Sequence, residues 1–581
     1  MTSAARTNRN QAALLPRLLA ALVALTALAG LLTLGWVIAR RITYPYDLEW
    51  MEGGMLCHAL RLLHGQPIYA APSVDFIPHL YTPLYPMVVA AWGAVAGDVS
   101  YLLGRGVSTA AFCGALLLAG AWAYKEGGSR AAALCAMALP AVTFAQTGGF
   151  FDLARADSLQ LFLTALGAAA AFYGRGRHLA MAAAALLLVA GFFAKQTAAP
   201  LIVFVASAML LTRRRTVLTF AVVGVASFAL CVYLQNRASQ GWFWTYIFRL
   251  HQSHAFFYQR ALVHTPRALA TLLGPALGVA AWAGLAQALG KSSEQPGPGL
   301  YYLLWLGLGG IVTACISFGT QWAHTNALIP GIYFPAIAIG AAAGRLVTRH
   351  ARQPRAQGPI SAQSPSGPLP PDSPLSPSGQ PPRSGRPSMG SGRQRRARTL
   401  RESLVWLALL ASLFARGREL RPAAHVPTLA DRAAGDAVIA LLRSAPGEVL
   451  VPFHPFYAHL AGKRTYLHRM GIWDVRGTAA GPVHGLFAAL QQKQFARIIF
   501  DDKIEATWGD WPEVLTSYRI SDRILGPRTF EGAQTAPALV LEPRPAPPPE
   551  PSVAPAASSA PQQDSARQPP GPQIPIDREL Q

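Results

Sequence analysis

Acidic side chains are in short supply in this chain. Its 581 residues hold 28 Asp plus Glu against 50 Lys plus Arg, and charged residues of both signs make up only 13%. With 52% hydrophobic residues and a mean hydropathy of +0.27, a soluble globular chain of this length is excluded. Several runs reach the roughly 20 apolar residues that cross a bilayer, which reads as a polytopic α-helical membrane protein. Cysteine is also sparse. The five present (Cys57, Cys113, Cys135, Cys231, Cys315) are scattered, four of them inside apolar runs, which gives neither a disulfide framework nor a metal spacing. A net charge of +22 could signal nucleic acid, but the basic residues sit in short loops between apolar runs and in one long linker. That placement follows the positive-inside rule, and no nucleic-acid partner is expected.

The N-terminus carries Arg6, Arg9 and Arg17 and then an apolar run over 18–39. The run is long and lacks a small-x-small cleavage site, so it reads as a retained first span with a cytoplasmic N-terminus. An outside loop over 40–100 follows. It holds a helix at 52–64, stopped by Gly65 and Pro67, and a short apolar piece at 83–97 between prolines, read as a helix at the interface. If 83–97 crossed, Lys125, Arg130 and Arg213–Arg215 would face outside, against the charge rule. The remaining spans are expected at 103–123, 130–148, 158–174, 179–194, 198–212, 216–234, 267–289, 299–318, 325–345 and 403–416, about eleven in all.

Three further segments complete the expected organisation. Residues 346–402 are rich in Pro, Ser, Gly and Arg and read as a disordered basic cytoplasmic linker between the 1–345 module and a last span within 403–419. Over 420–545 the pattern changes: "DRAAGDAVIALLRS" is helix-like, "GEVLVP" strand-like, "GLFAALQQKQF" helix-like and "ARIIFDD" strand-like. The alternation predicts a small extracytoplasmic α/β domain. The Pro/Ala-rich tail, 546–581, is expected to be disordered.

Against the shortage of acids, "YPYDLEWMEGGM" at 44–55 places Asp47, Glu49 and Glu52 within six residues just after the first span. Helix capping accounts for one or two of them. Three beside Tyr44, Tyr46 and Trp50 suggest that at least one acts as a general base on an acceptor hydroxyl. A second outside loop, "GFFDLARAD", carries Asp152, Arg155 and Asp157, where a local ion pair and an N-cap are the plainer alternative. In "FFAKQTAAP", Lys195 with Gln196 and Thr197 lies on the outside, against the charge bias. It is read as a phosphate-holding cation, with snorkelling as the alternative. The aromatic loop 235–266 adds Arg249, His251, His254 and Arg260. Two histidines three apart could suit a metal, but no third ligand is spaced to join them, and an interfacial helix is favoured. His324 and Asn326 are candidates to line the same cavity. Histidines 454, 459, 468 and 484 show no zinc pattern.

Taken in order, the first-loop acids, "ALRLLHGQPIY", "YTPLYPMVVAAWG" and "RADSLQLFLTALGAAAAFYG" resemble the GT-C membrane glycosyltransferases, in the style of the protein mannosyltransferase and aminoarabinose-transferase branch. The likeness covers about 15–345. It implies transfer of a sugar from a polyprenyl-phosphate donor to an unidentified lipid, glycan or protein acceptor, outside a cytoplasmic (inner) membrane, with inversion. In that family an Asp-Glu pair opens the first-loop helix about fourteen residues before a Gly. Here Met51 and Glu52 stand at that distance from Gly65, so only the Glu matches, and Asp47 or Glu49 is left to supply the other acid. "ARAD" is similar to the family's second-loop motif, and Lys195 to its carrier-phosphate lysine; Gln196, Arg249 and Arg260 join the donor-phosphate set. No cofactor is expected, a divalent metal on the acids being the less favoured alternative. A lipid-linked sugar transporter or flippase would need ionisable residues in mid-span, and these are nearly absent. A non-catalytic scaffold would leave the clustered acids without a task. The Ala/Arg/Pro-rich composition suggests a GC-rich bacterium.

Overall fold

The computed structural model describes residues 2–174, 176–212, 215–289, 298–348, 390–501 and 512–545. Most of the expected linker and all of the expected 546–581 tail lie outside the described residues. The chain divides into two units, Met1–Pro543 and Arg544–Gln581; the helices, sheet and cavity described below belong to the first.

The apolar runs fold as helices. Leu14–Arg41, Tyr101–Gly127, Val217–Ala238, Gly299–Gly319 and Thr325–Thr348 are long and apolar enough to cross a membrane. A sixth candidate is a broken pair, Arg260–Leu273 and Pro275–Ala288, bent by 94°. The break falls on Gly274, whose φ of +52° suits a residue without a Cβ, and Pro275 opens the second half. This is a multi-pass membrane protein. The other apolar helices are shorter: Asp157–Tyr173 and His178–Ala194 have 17 residues each. Such a helix rises about 26 Å, against a hydrocarbon core of about 30 Å. The helix over the last expected span runs Gly390–Gly417, so its first turns fall within the stretch read as linker.

Local signals explain where the helices stop. Tyr101–Gly127 starts at Ser100, whose side chain accepts from the Leu103 amide, and ends on Gly128 at φ +77°. The 83–97 piece is a helix over Leu84–Ala96, closed by Gly97 in the left-handed region. Thr325–Thr348 is the most enclosed span. Its Gly340 and Gly344, one turn apart, let it approach the Ala132 carbonyl and the Gly127 backbone closely enough that a Cβ at either position would meet a backbone atom at 2.7–2.8 Å.

The C-terminal segment builds a four-stranded sheet from β1 (Glu448–Leu450), β2 (Phe495–Asp501), β3 (Tyr518–Arg523) and β4 (Pro537–Pro543), in the order β1-β2-β4-β3. β1 pairs parallel to β2, and the other pairings are antiparallel. Helix Leu429–Arg443 precedes the sheet. A capping box fixes its start: Thr428 Oγ1 accepts from the Asp431 amide while the Asp431 carboxylate accepts from the Thr428 amide. Rather than closing a core of its own, this segment shares one with the first loop. Val438, Ile439, Leu442 and Tyr457 pack in a cluster with Tyr44, Tyr46 and Leu56. Leu48 O accepts from both the Phe530 and Glu531 amides (2.8 and 2.9 Å), which seats the hairpin over 529–535 on the first loop.

Candidate functional site

The first-loop acids divide by their partners. Glu52, the first residue of helix Glu52–Leu63, is fully buried. Its Oε1 accepts from Arg105 Nε (2.9 Å) and the Ala154 amide (2.7 Å), and its Oε2 from Arg105 Nη2 (2.7 Å) and the Leu48 amide (2.7 Å). Four donors leave this carboxylate nothing to offer a substrate. Asp47 is equally enclosed. Its Oδ1 accepts from the Gly53 amide (2.8 Å) and the Tyr101 hydroxyl (2.9 Å), and its Oδ2 lies 2.6 Å from His454 Nδ1. Two of the three acids therefore satisfy buried donors around the start of the helix. Glu49 alone of the three faces the cavity.

That cavity, about 560 Å³, opens between the first loop, the second loop, the start of Thr325–Thr348 and the C-terminal segment. Glu49 Oε2 accepts from Arg155 Nη1 at 2.8 Å, and Arg155 Nη2 donates to the Tyr81 hydroxyl at 2.9 Å. Burial pushes the Glu49 carboxyl up to about 7; the nearby Glu52 and Asp47 charges add to the rise and the Arg155 guanidinium opposes it. Nearby, Asp157 Oδ1 accepts from Lys195 Nζ (2.6 Å) and Asn326 Nδ2 (2.9 Å). Lys195 keeps further N–H donors for a ligand, because an ammonium has three. Gln196 donates to Leu80 O and stands 2.9 Å from His251 Nε2, and burial takes His251 down to about 4, so the ring is neutral. His254, His324 and Asn326 also line the space.

The remaining sequence candidates lie elsewhere. Asp152 forms a bidentate pair with Arg41 (2.8 and 2.5 Å), away from the cavity, and Arg41 also pairs with Glu531. Arg249 is exposed outside the cavity lining. Arg260 packs over Phe318 and donates to Ala323 O, at the edge of the space but not in its wall. Among the described residues, no three His, Cys, Asp or Glu side chains gather to hold a metal ion.

One whole wall carries no signal in the sequence. Met470, Trp473, Asp474, Gly532 and Ala533 all belong to the C-terminal segment and line the cavity. His454 ties that segment to the first loop, with Asp47 on one ring nitrogen and Asp501 Oδ2 3.2 Å from the other. Burial disfavours charge on this ring, but Asp501 and Asp47 outweigh it and raise the imidazolium to about 10. A folded-state value above the unfolded 6.5 means that this contribution is complete below pH 6.5 and fades as pH climbs through about 10. Thermal unfolding of the purified protein is therefore expected to shift to lower temperature between pH 6.5 and 10, and His454→Gln is expected to flatten that slope.

No family model matches this sequence, and no curated protein does. Among solved structures, ArnT from Cupriavidus metallidurans bound to undecaprenyl phosphate aligns over 89% of this chain and 97% of its own, with a TM-score of 0.51 at 12% identity. The same enzyme in the apo state gives 0.52 over the same shares. The fold is that of the GT-C membrane glycosyltransferases. The alignment with ArnT extends past the 15–345 stretch that carries the sequence resemblance and so takes in much of the C-terminal segment. AglB from Archaeoglobus fulgidus, in complex with an inhibitory peptide and a dolichol-phosphate, also aligns, over 85% of this chain and 72% of that one, at a TM-score of 0.46 and 10% identity.

Proposed function

We propose that this GT-C-like chain is an inverting, hexosyl-type glycosyltransferase that moves a sugar from a polyprenyl-phosphate donor to an acceptor hydroxyl. Glu49 carries the reading: a buried carboxylate poised near 7, in one cavity with the Lys195 ammonium. Glu49 takes the proton from the acceptor hydroxyl, and the new oxygen–carbon bond forms at the anomeric carbon as the bond to the carrier phosphate breaks. The departing phosphate gains charge beside Lys195, where a positioned cation stabilises it. A single displacement inverts the anomeric centre. Asp157, itself held by Asn326, keeps Lys195 in place, and Arg155 holds Glu49.

On this reading the active side is extracytoplasmic and the membrane is the inner one. Helices Arg130–Val142, Asp157–Tyr173, His178–Ala194, Ala199–Thr212 and Gly390–Gly417 bring the crossings to about eleven, the N-terminus is cytoplasmic and the C-terminal segment shapes the acceptor side. The test is transfer of radiolabelled sugar from synthetic polyprenyl-phosphate donors by the protein reconstituted in liposomes. Wild type is expected to transfer from at least one donor; no transfer from any donor would overturn the reading. Lys195→Met is expected to raise the KM for that donor by about ten-fold or more, as loss of a charge-assisted contact to phosphate predicts.

A further inference from the structure

Where the cavity is walled by the C-terminal segment, three side chains have no part in the chemistry above. Trp322 and Trp473 stack with their planes 5° apart and ring centres 5.8 Å apart. Trp473 is braced from behind by Trp50, edge to face at 6.1 Å, and by the Arg469 guanidinium 4.5 Å from the ring centre. Trp322 is half exposed and sits at φ +65°, a conformation that a bulky side chain rarely adopts. Strain of that kind persists where surrounding structure imposes it, and here it turns a large ring toward the cavity. Beside them Asp474 is 4% exposed, and its Oδ1 has no hydrogen-bond partner among the described residues. The buried Tyr246 hydroxyl, within electrostatic reach of Asp474, also lacks one. A buried polar atom left unpaired is costly, so the Asp474 Oδ1 beside the cavity points to a partner that arrives from outside.

We infer that Trp322, Trp473 and Asp474 form a monosaccharide subsite, the indole pair taking the apolar face of the ring and the Asp474 carboxyl a ring hydroxyl. A pyranose has this composition: C–H groups on its faces, which suit the electron-rich face of an indole, and hydroxyls around its rim. Burial pushes Asp474 up to about 8, so at neutral pH it carries a proton and can donate to a hydroxyl as well as accept from one. The inference rests on the transferase reading for the presence of a sugar. The sugar belongs either to the lipid-linked donor or to a glycan acceptor.

The experiment is equilibrium binding to the full-length protein in nanodiscs, with two sets of probes. One set compares bare undecaprenyl phosphate with undecaprenyl phosphate bearing mannose, glucose, galactose or arabinose; the other uses the methyl glycosides of the same sugars. Wild type is expected to bind at least one sugar-bearing probe more tightly than its sugar-free counterpart. Trp322→Ala and Asp474→Asn are each expected to remove about ten-fold of that gain, while bare undecaprenyl phosphate binds as before. A gain confined to the carrier-borne probes assigns the subsite to the donor; a gain with the methyl glycosides assigns it to the acceptor. The half-exposed Trp322 can be replaced without opening the core, and unchanged thermal unfolding of its variant guards against misfolding as the cause. The subsite is overturned if no probe shows a sugar-dependent gain, or if the gain survives both substitutions. An intact gain in a protein that transfers nothing would sink the transferase reading and leave the sugar subsite standing.

Discussion

Glu49→Gln should leave a protein that folds, inserts and binds donor, yet transfers sugar about 10²–10⁴ times more slowly, the usual contribution of a positioned general base. The amide is nearly isosteric and its oxygen can still accept from Arg155 Nη1, now at 2.8 Å from Glu49 Oε2, so the local packing is retained. What disappears is the capacity to accept a proton. The wild-type rate should show the matching pH dependence. A base works only when ionised, so kcat/KM is expected to climb as pH rises through about 7 and then level off. The climb should be absent from the residual rate of the variant. Arg155→Gln supplies a second readout. The guanidinium lowers the Glu49 value, so removing it should move the acid limb to higher pH in addition to slowing transfer. If Glu49→Gln transfers at the wild-type rate, Glu49 is not the base.

Glu52→Ala should be the most damaging single change to stability, for a reason unrelated to chemistry. Arg105 and Glu52 are both fully buried and meet through two hydrogen bonds. Removing one partner of a buried pair costs about 3–5 kcal/mol, because the other charge stays in place without compensation. The amides of Leu48 and Ala154 would lose their acceptor as well. Arg105→Met fails in another way: it frees the Tyr44 and Tyr46 carbonyls, which accept from Nη1 (2.5 Å) and Nη2 (2.6 Å), and leaves Glu52 with a buried negative charge. Pairing the two substitutions removes both charges but still abandons two amides and three carbonyls, that of Arg41 included, so only partial rescue is expected. The measure is folded yield and unfolding temperature in detergent. Whatever activity remains should track the folded fraction, unlike that of Glu49→Gln.

These two acids lie three residues apart, and their contrast shows how far the sequence can be read. The clustering of Asp47, Glu49 and Glu52 was visible because acids are rare in the chain. Their division into two buried struts and one cavity-facing carboxylate was not, because it depends on Arg105, Tyr101, Ala154 and His454, contributed by other elements. Lys195 stood out against the charge bias of an outside loop and does line the cavity, as do Gln196, Arg155 and Asp157. Arg249 and Arg260, in a loop full of aromatic and basic residues, had no such contrast and point elsewhere. Apolar runs located the helices closely, but hydropathy does not report how long a helix stays straight, and the 94° break at Gly274 sits inside one expected span. The C-terminal wall was least legible. Its helix and strand pattern was readable, but Trp473 and Asp474 come together with Trp322 only through the fold.

The seating of the 529–535 hairpin on Leu48 has a consequence for how the protein is made. Arg41 finishes its set of contacts with Glu531, 490 residues further along the chain. Until a ribosome has passed Glu531, Arg41 has only Asp152 of its two carboxylate partners, and Gly532 and Ala533 are not yet there to line the cavity. A chain cut short before Gly532 still holds the residues of the membrane helices and of the Arg105–Glu52 pair but lacks part of the cavity wall. On the transferase reading, activity would then wait until synthesis has passed Ala533, and a shorter copy would sit idle in the bilayer.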